Sequence, residues 1–340
     1  MLKLAKKYKI AVKYCKGKIN GYGVNFGLKT LTENYLKNFE DWYKNKDKEY
    51  DIVFCIGADP LEIKSKRIVY LCASQNQKSY DNVEKCNFVQ YADKYTDVIL
   101  VRYNECFDSL KEDFKNCNIF CKNFILFDFD LKHTKNKRRK AILHLGRICK
   151  FKNSIELLTN PSRYLSDIPI CSYGGNLFKI ENNEFVISEK LEKYYDSNVH
   201  ALHKTLDEEP VNDKINFYPN YSPDQLYDIA SQYEYAICFY NEDFLDNVEY
   251  AMLEMINAGC YVILNESYFH TFNSWTELSR IPSAFIISDF EHFSNTDVQN
   301  LLKTKVKEID RKKYVKSWKK MYDNNKVLES LIREIMPKNF

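Results

Sequence analysis

The sequence predicts an α/β protein of two domains, each carrying a parallel sheet, with a cleft between them. Three observations predict this. Short apolar runs of strand length alternate with helical stretches almost throughout. The alternation breaks once, at the polar, basic segment Lys132–Lys140, and then restarts. And 340 residues are long for a single hydrophobic core. The boundaries read as 1–135 and 136–314, with a C-terminal helix, 315–340, packing back on the first domain.

In order, Lys9–Tyr14 is a first strand. A loop with Gly17, Gly21, Gly23 and Gly27 follows, then a helix over about Leu28–Asn45. Asp51–Gly57, Arg67–Cys72, Asp97–Tyr103 and Asn123–Asp128 are further apolar runs. The Lys132–Lys140 segment has no apolar period. It reads as a solvated linker or, functionally, as a contact for a phosphate backbone. Ala141–Leu145 restarts the pattern, followed by a short helix at Ser154–Thr159 and a strand at Ile168–Tyr173. The region Ser188–Leu206 is polar and helical, and its His200 and His203 have no third ligand near them in sequence. Ile215–Tyr221 and Tyr235–Tyr240 are strands around a helix opened by Ser222-Pro223-Asp224, with proline at the first helical position. Ser283–Ser288 is a last strand. The tail, Ser294–Met336, is helical, and its Lys/Glu spacing fits a solvated face.

Composition narrows the function. Charged residues balance to +3, so any nucleic-acid contact must come from a local patch. No run of 18 apolar residues occurs, and the charged N-terminus is unlike a signal peptide, so the expectation is a cytoplasmic protein with no membrane partner. Most of the 11 cysteines, among them Cys55, Cys72, Cys171, Cys238 and Cys260, sit inside apolar runs and read as reduced core thiols. Neither the cysteines nor the histidines form a metal-ligand pattern. With nine glycines against 26 tyrosines and 22 phenylalanines, each glycine is informative.

The motifs gather at the carboxyl ends of strands, where open α/β sheets bind ligands. Gly21 and Gly23 follow the first strand. They lack the third glycine of a dinucleotide fingerprint, because position 26 is Phe. They serve either a tight turn or a close approach of backbone to ligand. Gly146-Arg147 follows the first strand of the second half, with Lys152 five residues on. Arg147 and Lys152 are either solvated or suited to a diphosphate. Asp246–Asn265 reads as a capped helix, a glycine stop at Ala258-Gly259 and a buried strand. Its Glu249 and Glu254 stand roughly 140° apart around the helix. On pattern alone they are surface acids or groups at a ligand-binding helix.

Taken together, Ile-Leu-His-Leu-Gly146-Arg147-x4-Lys152 and the later Leu-Glu254-Met-Ile-Asn-Ala-Gly259-Cys-Tyr-Val-Ile resemble retaining GT-B nucleotide-sugar glycosyltransferases. Phe217–Tyr240 looks like the helix and strand that precede the acid-bearing helix in that family. Val-Glu249-Tyr-x-x-Leu-Glu254 and Asn20-Gly21-Tyr-Gly23-Val24 are closer to phage DNA α-glucosyltransferases of the T-even type. Asn153 replaces the usual glycine after Lys152, and Ser74-Gln75-Asn76 falls where that group has a His-Asp-His cluster.

The resemblance implies two Rossmann-like domains and a UDP-sugar as co-substrate, with no further cofactor and no metal. It implies that Arg147 and Lys152 hold the donor diphosphate, Glu254 the ribose and Glu249 the sugar, with Gly21, Gly23 and Gly146 allowing close approach. The acceptor would be a hydroxymethylated pyrimidine in duplex DNA, met by Ser74, Gln75 and Asn76 and by Lys137, Arg138 and Arg139. Tyr70, Tyr80 or Tyr91 would be available to stack or wedge. The alternatives are a glycan, lipid or protein acceptor, or a non-catalytic binding protein on the same fold.

Overall fold

A computed structural model of the chain describes residues 6–15, 24–71, 98–101, 117–121, 124–132, 138–146, 169–173, 178–181, 184–187, 215–218, 221, 225–238, 250–265, 285–287 and 308–336. The chain divides into two units. One holds Met1–Asp128 and Tyr322–Phe340, the other Phe129–Leu245 and Glu249–Met321.

The first unit is built on six parallel strands: β1 (Ile10–Tyr14), β2 (Glu40–Asp41), β3 (Tyr50–Ile56), β4 (Ser65–Leu71), β5 (Val98–Val101) and β6 (Asn118–Cys121). Their order is β2-β1-β3-β4-β5-β6. Helix α1 (Val24–Leu36) follows β1. The apolar strand residues form the core, where Ala11, Val53, Cys55, Ile68 and Ile119 pack with Trp42, Tyr50 and Tyr70. Lys13 is buried in this sheet. Its ammonium donates to Asp59 Oδ1 at 2.9 Å and to the Leu61 carbonyl at 2.6 Å, and lies 4.6 Å from the Trp42 ring centroid.

The first unit departs from the sequence reading at several points, and α1 begins at Val24, inside the loop expected to reach Gly27. The helix expected to reach Asn45 ends at Leu36, because Asp41 turns the chain: its carboxylate accepts from the Tyr43 N–H and caps a 3₁₀ turn, Trp42–Lys44. The run Phe124–Phe127 is buried but is not a strand, and β6 lies before it. Its backbone groups are met by side chains instead of a ladder. Asn34 Nδ2 donates to Leu126 O at 2.7 Å, Tyr35 Oη to Phe124 O at 3.0 Å, Tyr322 Oη to Ile125 O, and Phe127 N donates to Asn324 Oδ1 at 2.8 Å. Tyr70, a candidate stacking residue, is inside the core; Tyr80 and Tyr91 lie outside the described residues.

The second unit carries β7 (Arg139–Leu145), β8 (Ile170–Tyr173), the hairpin β9 (Phe178–Glu181) and β10 (Glu184–Ile187), then β11 (Ile215–Tyr218), α2 (Leu226–Ala230), β12 (Tyr233–Cys238), α3 (Tyr250–Asn257), β13 (Tyr261–Asn265), β14 (Phe285–Ile287) and α4 (Glu308–Met321). The hairpin is antiparallel and was not foreseen. The remaining six strands are parallel, in the order β11-β8-β7-β12-β13-β14. That is the 3-2-1-4-5-6 order of a Rossmann sheet. β7 starts at Arg139, two residues earlier than the apolar run suggests, because Arg139 N donates to Gln232 O at 2.6 Å. Among the described residues the tail forms two helices, α4 and α5 (Asn324–Ile335), separated at Asp323, which caps α5. α5 buries Leu328, Leu331, Ile332 and Ile335.

Candidate functional site

In a sheet of this order the ligand crevice lies outside the carboxyl ends of the strands, where the strand order reverses. Here that point falls between β7 and β12. Gly146 is the first residue past β7. Its φ of 122° lies where a side chain is strained, so glycine is required. Its N–H donates to Tyr173 O at 3.2 Å and ties the ends of β7 and β8 together. Just below, the buried His144 Nδ1 lies 3.0 Å from Ser172 Oγ.

α3 lies between β12 and its parallel neighbour β13 in the chain. Glu254 lies on α3 and is only 6% exposed. Tyr227 of α2 is its neighbour. The Tyr227 phenol is pushed up to about 12, by burial first and by the Glu254 charge second; a hydrogen bond with Asn257 works the other way. A buried carboxylate beside a phenol that stays neutral suits hydrogen bonding to hydroxyl groups.

The far end of α3 is fixed through three successive carbonyls, the last of the helix and the two that follow it. Lys132 N donates to Asn257 O, Arg138 Nη2 to Ala258 O and Arg311 Nη1 to Gly259 O, each at 2.9 Å. Asn257 Oδ1 also accepts from Asp130 N at 2.9 Å. Helix ends normally leave these carbonyls to water. Here two guanidinium groups meet the negative end of the dipole. Arg138 Nη1 reaches on to Tyr233 O at 2.9 Å, and Arg311 Nη2 to Glu234 Oε1 at 3.0 Å. The result is a helix whose axis, and so the place of Glu254, is set from its C-terminus.

Of the residues singled out in the sequence, Gly146 and Glu254 belong to this unit, at the end of β7 and on α3. Arg138 holds the backbone carbonyls of Tyr233 and Ala258. Arg139 is exposed and packs over the Tyr233 ring at 5.7 Å. Gly21, Gly23, Ser74, Gln75, Asn76, Lys137, Arg147, Lys152 and Glu249 lie outside the described residues. Sequence reasoning missed Arg311, Asn257 and Tyr227. Arg311 is hidden in an Asp-Arg-Lys-Lys run; Asn257, just before the glycine stop, was the legible one of the three. Among the described residues no group of three or more His, Cys, Asp or Glu is placed to hold a metal ion, and no helix is long and apolar enough to cross a membrane.

No protein-family model matches the sequence, and no curated protein matches it. Solved structures match the architecture. An α-glucosyltransferase in complex with UDP and a 13-mer DNA containing a central A:G mismatch superimposes with a TM-score of 0.60 at 12% identity, over 96% of this chain and 99% of that one. The fold is GT-B. AviGT4, a glycosyltransferase involved in avilamycin A biosynthesis, has a GT-B match of 0.55 at 7% identity, over 96% and 97% of the two chains. HepE of Anabaena, in complex with UDP-glucose, gives 0.54 at 9%, over 95% and 99%. S. aureus TarM is longer: the chain spans 54% of its length, with a TM-score of 0.50 at 10% identity and 83% of this chain covered.

Proposed function

We propose that the chain is a retaining glycosyltransferase that moves a sugar from a UDP-sugar to a hydroxymethylated pyrimidine in duplex DNA. The observation that carries this reading is the GT-B fold shared, end to end, with an α-glucosyltransferase whose structure holds UDP and DNA. The UDP-glucose bound to HepE supports the donor. The buried Glu254 on α3 supports it too, since a ribose offers that carboxylate two hydroxyl donors.

In this reading Arg147 and Lys152 hold the diphosphate and neutralise the departing UDP. Glu249 holds sugar hydroxyls, and Gly146, Gly21 and Gly23 let backbone approach the donor. The departing phosphate takes the proton of the acceptor hydroxyl on the face from which it leaves, so the anomeric configuration is kept. Catalysis then rests on charge stabilisation and positioning. Ser74, Gln75, Asn76, Lys137 and Arg139 meet the acceptor, whose base must leave the stack to be reached.

The test is incubation with a panel of UDP-sugars, with and without duplex containing 5-hydroxymethylcytosine. UDP release that depends on the modified duplex, together with a mass gain of one sugar on the oligonucleotide, is the expected result. UDP release only with saccharide acceptors would favour the second reading, a glycan acceptor. No turnover with any donor, alongside intact UDP binding, would point to a binding protein.

A further inference from the structure

Five lysines of α4, namely Lys312, Lys313, Lys316, Lys319 and Lys320, are all exposed. Among the described residues none of them pairs with a carboxylate. Several lysines elsewhere are paired: Lys13, Lys37, Lys48 and Lys66 lie 2.9, 2.7, 2.7 and 2.7 Å from carboxylate oxygens. Lys312, Lys316 and Lys320 recur every fourth residue and form one stripe, and like charges at that spacing destabilise a helix. Only Lys319 and Lys320 fall in the last turn, where the dipole favours them. The helix is held by its other face. Tyr314, Val315 and Trp318 are buried, the Tyr314 hydroxyl accepts from Val262 N at 3.0 Å, and Trp318 stacks on Phe129 with centroids 6.5 Å apart.

We propose that this lysine face docks duplex DNA through its phosphates. The choice of DNA rests on the acceptor reading above; the exposed lysine stripe does not. A bilayer is the poorer fit. Helices that lie on membranes sink an apolar face among the lipids, and the apolar face of α4 is already buried in the protein. Its outer face offers lysines and the half-exposed Ser317. DNA needs no insertion, because bound counterions are released as lysines replace them, and the duplex carries a charge every ~1.7 Å. Lys312 to Lys320 spans about 12 Å of helix axis, long enough to follow several phosphates. Among the described residues of the Lys132–Lys140 segment, Lys132 lies 3.6 Å from Asp130, Arg138 is held by carbonyls and Arg139 packs on Tyr233.

The experiment is fluorescence anisotropy of a labelled, unmodified duplex of about 20 base pairs across roughly 50–200 mM salt. The full chain is compared with the triple variant Lys312→Gln, Lys316→Gln, Lys320→Gln and with the matching triple Lys→Arg variant. The Gln variant should bind at least ~10-fold more weakly, with a slope of log K against log salt shallower by about 2–3, while the Arg variant binds as wild type. UDP binding, measured by calorimetry, should be equal in all three and reports an intact fold. Wild-type affinity in the Gln variant, or no salt-dependent binding by the wild type, overturns the proposal. So does tighter binding to phosphatidylserine vesicles than to DNA, lost in the Gln variant. If the wild type binds DNA through these lysines yet transfers no sugar to it, the docking surface stands and the acceptor reading falls. If modified DNA is glycosylated and bound equally well by the Gln variant, the reverse holds.

Discussion

Gly259 and Arg138 occupy adjoining space with no room to spare: a Cβ on Gly259 would lie 2.8 Å from Arg138 Nη2 and 2.9 Å from Leu131 Cδ1. The guanidinium cannot step aside without releasing the Ala258 and Tyr233 carbonyls. Gly259 also has φ of 79°, where a side chain is strained. Gly259→Ala should therefore lower stability by about 1–3 kcal/mol. Urea unfolding measures it. In the double variant with Arg138→Ala the two losses should be less than additive, because the clash with the guanidinium is gone.

Arg311 and Glu234 form a pair with side chains 5% and 15% exposed. Arg311→Met strands that carboxylate and frees the Gly259 carbonyl. The expected loss is about 3–5 kcal/mol. Adding Glu234→Gln should recover part of it, and the same denaturation series shows whether it does.

Glu254→Gln should weaken UDP binding by roughly 10–100-fold, the size of a hydrogen bond to a charged group. Calorimetry with UDP reads this directly. Unchanged affinity would remove Glu254 from the ribose.

Stability should fall at both ends of the pH range. Burial pushes the phenols of Tyr43, Tyr227 and Tyr261 up to about 12. Unfolded tyrosines titrate near ~10. Between those values the unfolded chain has lost protons that the folded chain keeps, so stability drops as pH rises from about 10 to about 12. The part of the tyrosinate absorbance that belongs to these buried phenols should appear only on unfolding, and cooperatively. At the acid end, burial acts to raise Asp51 and Asp59, but hydrogen bonds from Lys66 and Lys13 prevail and hold both below the ordinary range. Their contribution is present above about pH 4 and is lost as pH falls below it. Lys13→Met should flatten part of that acid limb.

The thiols should react in a set order. Cys15 is exposed, whereas burial pushes Cys55 up to about 12 and Cys260 up to about 11. Iodoacetamide labelling followed by peptide mass spectrometry should modify Cys15 in the native protein and reach Cys55 and Cys260 only in denaturant.

The strands were the most legible part of the chain. β1, β3, β4, β7, β8, β12 and β13 are apolar runs because parallel strands are covered on both faces. Phe124–Phe127 misled for the same reason: apolar content reports burial, and only the distant Asn34, Tyr35, Tyr322 and Asn324 decide that its backbone bonds to side chains. The helix past Leu36 misled because Asp41 acts through a local cap that periodicity does not register. Gly146 stood out as a glycine at a strand end, whereas Glu254 stood out only through the resemblance to GT-B glycosyltransferases, its pattern alone fitting a surface acid equally well. Arg138 and Arg311 did not, since a guanidinium pinned under a helix end reads in sequence like any charge in a basic run.

The first unit takes its last helix, α5, from beyond the second. Leu328, Leu331, Ile332 and Ile335 complete its core, and Tyr322 and Asn324 satisfy the backbone of Ile125 and Phe127. On a ribosome, then, the part made first is finished last. After Asp128 emerges, about 190 residues of the second unit must be translated before Tyr322 follows. At ~5–20 residues per second that is roughly 10–40 s. Through that interval the apolar surface awaiting α5 is open, a window for chaperone engagement that a rearranged chain carrying α5 at its start would close.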